Sequence, residues 1–246
     1  YNNKSIDLEL IKSDVSLLNL LNDQFTLSNL YISTKSIKIK EVIEFYRSIT
    51  KNNKAKLFIL ENFINKGFLI ADINLNFDDQ GKLKKDFKIN GLIRDSSLNF
   101  LNKQKIDNIN FIFNAENKKL NLNDLKFSYS NINFTSEKVE VENKDSFINI
   151  KGEINNYETS LSEDSLKKFF NPFLKLDYKN LEFSSQNKFL FKINNKFKVS
   201  DYEIKSLLDI DELLINHDLN LKDIFPNLQS EVRFKNHKAK ITFKKN

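Results

Sequence analysis

The sequence predicts a mainly β protein: a long antiparallel sheet, apolar on one face, with a few short helices. Three observations carry this prediction. Apolar and polar residues alternate over most of the chain, as in Leu69, Ala71, Ile73, Leu75 and Phe77 against Asp72, Asn74 and Asn76, the period of a half-buried strand. The alternating segments are separated by short polar stretches such as Glu116-Asn117-Lys118-Lys119 and Asn143-Lys144-Asp145, and short connections join antiparallel neighbours in a meander. The helical period occurs in only two clear places, too few to cover so much sheet.

In chain order, Ser5–Ile11 and Phe25–Ser33 alternate, while Val15–Leu21 is an apolar run of undetermined type. In Glu41–Asn65, Val42, Ile43, Phe45, Tyr46 and Ile49, then Leu57, Leu60, Phe63 and Ile64, recur three and four apart, as in a helix pair. Gly67 fits a helix C-cap, where positive φ is common. Phe68–Phe77, a turn at Asp78-Asp79-Gln80-Gly81 and Phe87–Arg94 read as a hairpin, followed by strands at Ile106–Ala115, Leu120–Tyr129, Asn131–Thr135 with Lys138–Val141, and Ser146–Ile154. Ser162, with Glu163 and Asp164 behind it, opens a helix Asp164–Phe170 that Asn171-Pro172 closes. Phe183–Ile193, Phe197–Ile204 and Leu213–Leu221 resume the alternation, and Glu231–Lys235 and Lys238–Phe243 form a hairpin around Asn236-His237.

This divides the 246 residues into the end of a sheet segment (1–36), a helical insertion (37–67), a meander (68–157), a short helix (158–172) and a further sheet segment (173–246). With only 4 Gly and 2 Pro, Asn, Asp and Lys must supply most turns. Gly91 and Gly152 sit in strands, where bulges or bends account for them. They share an echo, Phe87-Lys-Ile-Asn-Gly-Leu-Ile and Phe147-Ile-Asn-Ile-Lys-Gly-Glu-Ile, of the kind a repeating sheet unit leaves. The absence of Met, in a chain that begins at Tyr1, predicts a piece of a longer protein whose anchor or export signal lies elsewhere.

The composition excludes much chemistry. Zero Cys removes thiolate metal sites and cysteine nucleophiles. His217 and His237 each stand alone among charged or turn residues and read as surface groups, so no metal and no cofactor are expected. Asp209-Ile210-Asp211-Glu212 and Asp78-Asp79 lack the spacing and glycine of a calcium loop and read as solvated turns. The formal charge is +6, but the lysines are dispersed along polar strand faces among acids, without the aromatic partners of a nucleic-acid platform. Lys238, Lys240, Lys244 and Lys245 read as an outer strand face that discourages edge pairing.

The helix pair, the phrase Leu60-Glu61-Asn62-Phe63-Ile64-Asn65-Lys66-Gly67 and the alternating strand after it resemble the YhdP-type branch of the AsmA-like superfamily, over roughly Ile37–Asn155. The tryptophan that often precedes the phrase is replaced here by Phe58 or Leu57. The resemblance implies a long twisted sheet curled into an open hydrophobic groove, related to bridge-like lipid transfer proteins. It implies an inner-membrane-anchored protein in the periplasm of a diderm bacterium, passing phospholipid towards the outer membrane without catalysis. The partners implied are phospholipid acyl chains, the inner membrane through an anchor outside this segment, and outer-membrane or periplasmic proteins, with no nucleic acid. The candidate lining positions are Leu69, Ala71, Ile73, Leu75, Phe77, Ile109, Phe111, Phe113, Leu120, Leu122, Phe127, Tyr129, Phe189, Phe191 and Ile193. A structural or adhesive β-sandwich that binds another protein is the competing reading, with the same apolar residues sealed in a core.

Overall fold

The computed structural model describes residues 6–21, 27–49, 54–99, 105–144, 146–170, 177–194, 198–216 and 231–245. The expectations that fall on Ser5, Phe25, Asn171-Pro172, Phe197, His217 and the end of Leu213–Leu221 lie outside these residues. In chain order the elements are β1 (Leu8–Val15), α1 (Leu17–Leu20), β2 (Leu27–Thr34), β3 (Ile37–Lys38), α2 (Ile39–Ile49), α3 (Lys54–Phe63), β4 (Ile64–Asn76), β5 (Lys88–Asn99) and β6 (Lys105–Glu116). They continue as β7 (Lys119–Tyr129), β8 (Ile132–Lys144), β9 (Phe147–Ser162), α4 (Glu163–Phe170), β10 (Asp177–Asn194), β11 (Val199–Asn216) and β12 (Glu231–Lys245).

All twelve strands form one antiparallel sheet in the order β1-β2-β4-β5-β6-β7-β8-β9-β10-β11-β12, with β3 paired to β4. The sheet is open: β1 and β12 are its two edges. The described strands contain no second sheet packed on the first, so they do not form a sandwich. The meander follows from the connections, since tight turns such as Asn117-Lys118 and Ser130-Asn131 leave no room for a crossover.

Several expectations need correcting. Gly67 lies inside β4 and caps no helix, with a φ of 145° and Ser96 and Ile39 at 2.7 and 2.8 Å from where a Cβ would stand. The proposed hairpin at Asn236-His237 is a single strand, β12, in which Asn236 has a φ of 54°. Asn131–Thr135 and Lys138–Val141 also join into one strand, β8. Asp209–Glu212 belongs to β11 and is no turn. Gly67 and Asn236 share a cause: a residue with positive φ inside a strand has the composition of a cap or a turn. Asp95, Asn108, Asp124, Glu158 and Asn236 all have φ of 43–54° within strands. At the first four the pairing register slips, the mark of a bulge, which bends a strand and increases its twist.

Helices α2 and α3 rest on β3, β4 and β5, and α4 rests on β9 and β10. The first pair buries Ile39 and Ile43 against Ile64, with Leu57, Leu69, Ile93 and Leu98 around them. Arg47 of α2 and Glu61 of α3 form an ion pair that ties the two helices together. Leu166 of α4 is fully buried among Ile132, Leu161 and Leu181. Among the described residues no helix is long and apolar enough to cross a membrane.

Candidate functional site: one apolar face

Residues directly opposite in an antiparallel ladder share a face, so the register decides which side chains meet. Leu69, Ala71 and Ile73 of β4 pair with Ile93, Gly91 and Ile89, which pair in turn with Phe111, Phe113 and Ala115 of β6. Phe113 and Ala115 face Leu122 and Leu120, and these face Val139 and Val141 of β8. Phe127 and Tyr129 pair with Phe134 and Ile132. The path continues through Gly152, Ile150 and Ile148 of β9 to Phe189, Phe191 and Ile193 of β10, then to Ile204 and Tyr202 of β11 and to Phe243 of β12. Leu75 opposes Leu30, and Ile73 opposes Ile32, on the same side.

Thirteen of the fifteen candidate positions take part in these pairs on one face, while Ile109, opposite Ser96, and Phe77, which bridges to Leu83, continue the alternation of β6 and β4. Ala71 and Ile109 are buried and the other thirteen are half-buried. Leu69 lies under the helix pair, at the covered end of the face. The strand pattern had omitted Ile89, Val139, Ile148, Ile150 and Ile204, although each alternates correctly within its own segment. On β7 the extra residue Asp124 preserves the face, because it shifts the parity between Leu122 and Phe127.

Aromatic rings form much of the surface. Phe111 and Phe113 meet edge to face at 6.3 Å, Phe127 stacks on Phe134 at 5.1 Å, and Phe191 lies 5.6 Å from Phe189 and 6.3 Å from Tyr202. The two strand glycines are explained by these rings and not by bulges. A Cβ on Gly91 would stand 2.5 Å from Cζ of Phe113, and one on Gly152 would stand 3.0 Å from Cζ of Phe189. In both, a phenylalanine of the next strand lies over the glycine, which fills the gap and pins register. The sequence echo around these glycines marks that arrangement.

The face also carries a buried polar node on β9 and β10. Asn156, 1% exposed, accepts a short hydrogen bond from the Ser185 hydroxyl and donates to the Thr159 hydroxyl at 3.0 Å. Asn187 donates to the Ser185 oxygen at 2.7 Å and to the Ile154 carbonyl at 3.0 Å.

The opposite face is mainly polar, interrupted by Ile70, Leu92 and Ile112, which pair across β4, β5 and β6, and by Leu207 of β11. Asn29 donates to Asn74 and Asn76 at 2.6 and 2.9 Å, and Asn123 and Asn114 extend a similar ladder towards Asn90. Lys138 and Lys151 flank Glu140 at 2.9 Å each, and their ammonium groups hold its carboxyl down at about 2. Lys188–Glu153, Lys192–Asp201, Lys205–Glu203 and Lys238–Asp209 continue the pairing across β9 to β12. Asp209 and Glu212 are thus engaged by Lys238, Arg233 and Lys235. His237 is exposed and lies against the Phe234 ring at 5.7 Å. Among the described residues, no group of three or more His, Asp or Glu could hold a metal ion. No family model, no curated protein and no solved structure matches the chain.

Proposed function

We propose that the apolar face binds the acyl chains of phospholipid, and that this chain is a segment of a non-enzymatic lipid conduit of the AsmA/YhdP-like kind. In this reading the protein is anchored in the inner membrane, lies in the periplasm, and moves phospholipid towards the outer membrane. The sequence resemblance supplies the cellular setting. The observation that carries the ligand class is the continuity of half-exposed apolar side chains across one open sheet. Eleven strands at about 4.8 Å spacing extend about 48 Å, whereas one lipid tail spans about 15 Å, half a bilayer core. A soluble chain rarely leaves so long an apolar surface unused. Each buried CH₂ is worth about 0.8 kcal/mol, so a lined surface suffices and no catalytic group is needed. Curling of the sheet, to which the strand bulges would contribute, would make the surface a groove.

The test is photo-crosslinking in the intact protein from a benzophenone residue at Phe111 or Ile73, with Asn114 and Asn74 of the opposite face as controls. Covalent phospholipid from the first pair and not from the second is the expected result. Equal labelling of both faces would overturn the lining, and cross-links to protein alone would favour an adhesive role. Charged substitution at Phe111 or Ile73 is expected to block lipid movement in a chain that still folds and localises.

A further inference from the structure

Where β5 to β8 end in tight turns, the polar face carries a depression of about 1060 Å³. One wall is the loop before β5, and the floor is formed by the turn ends of β6, β7 and β8. Five lysines, Lys84, Lys85, Lys118, Lys119 and Lys144, line it against two acids, Glu116 and Glu142.

Elsewhere on the polar face Lys138, Lys188, Lys205 and Lys238 stand beside carboxylates at ion-pair distance, whereas in the depression lysines outnumber acids. Lys144 shares Glu142 at 3.5 Å, and Glu116 is engaged from outside the depression by Lys88 at 3.6 Å. Among the described residues, Lys84, Lys85 and Lys119 have no carboxylate within ion-pair distance, and all three are exposed. Their positions are ordered by the fold. Asp78 accepts from the amides of Gln80 and Lys82 at 2.9 and 2.8 Å, Phe77 bridges Leu83, and the Lys84 amide donates to the Asn76 carbonyl at 2.8 Å. A loop built this way fixes the backbone from which Lys84 and Lys85 extend at the rim of the void.

We propose that this depression is an anion site for a phosphate-bearing group. Several ammonium groups around an open volume suit a compact multivalent oxyanion, which lysine binds as a point charge without a fixed fork geometry. The site lies on the face opposite the apolar one and does not rest on the acyl-chain reading. Its phosphate can belong to a lipid headgroup or to a soluble molecule.

The experiment compares three proteins: the unaltered 246-residue chain, the triple variant K84E/K85E/K119E, and K188E/K205E/K238E, which makes the same charge change at paired lysines of the same face. Each is titrated with inorganic phosphate, with vesicles of phosphatidylglycerol in phosphatidylcholine, and with phosphatidylcholine alone. At roughly fivefold per lysine near an anionic surface, the first variant should lose about a hundredfold in vesicle affinity and the second much less. Arginine at the same three positions should restore binding. Binding to anionic vesicles assigns a headgroup, and binding to phosphate without vesicles assigns a soluble ligand. Equal losses in the two variants, or no preference of the unaltered chain for phosphate or anionic vesicles over neutral ones, would overturn the site.

Discussion

Leu166 and Phe191 lie on the same apolar side of the sheet, yet Leu166, carried by α4, is fully buried between that helix and the strands, and Phe191 is half-exposed on β10. The difference lies in what covers them. At one end of the strands α2, α3 and α4 bring apolar side chains onto the sheet, and two closed clusters result. Towards the turn end, among the described residues, Phe111, Phe113, Phe189 and Phe191 have only one another and their strand neighbours. Equal hydrophobicity therefore has two settings: the covered end contributes stability, and the uncovered surface is the part that the proposed function assigns to acyl chains.

The sharpest way to break this contrast is to truncate one residue from each region. Leu166→Ala is expected to cost about 2–5 kcal/mol in denaturant unfolding, as for other fully buried leucines. Phe191→Ala removes a larger ring and should cost distinctly less. Equal losses would mean that something also covers the turn end.

Gly91→Ala should follow, at about 1–3 kcal/mol, since its Cβ would stand 2.5 Å from Phe113 and 2.6 Å from the Ile70 carbonyl oxygen. Gly152→Ala meets its neighbours only at 3.0 Å and should cost less. A thermal melt of the two variants orders them, and the reverse order would undo the account of rings lying over glycines.

Asn156→Ala removes the centre of the polar node and leaves Ser185 without its buried acceptor, with an expected cost of about 1–3 kcal/mol. A neutral result would show that the node is open to water, and so part of the exposed region.

The smallest effect concerns pH. Glu140 is held at about 2, below its ordinary 4.5, by hydrogen bonds from Lys138 and then Lys151. Its contribution to stability is present above pH 4.5 and is lost as the pH falls from 4.5 towards 2. Glu140 is on the polar, solvated face, so the change should be slight and should shrink with added salt. Unfolding midpoints of the unaltered chain and Glu140→Gln across that pH interval measure it.

Much of the sheet was readable from local pattern. Leu69 to Phe77, Ile109 to Phe113 and Phe189 to Ile193 alternate in sequence and share a face in the fold, because the strand period is two wherever the backbone is regular. The reading failed where one residue broke the period. Asn236-His237 has the composition of a turn, and Gly67 that of a helix cap, but both lie within strands whose neighbours hold them there. A residue's preference for positive φ is local, while the choice between a bulge and a turn depends on the partner strand.

The sequence by itself determined that this chain forms strands in meander order with one greasy side, because alternation and short polar connections are written residue by residue. Only the tertiary structure decided that the greasy sides of all these strands coincide in a single open sheet, and that helices cover one end of it. Those outcomes depend on register and packing between residues far apart in the chain, and register is set by contacts that no single segment contains.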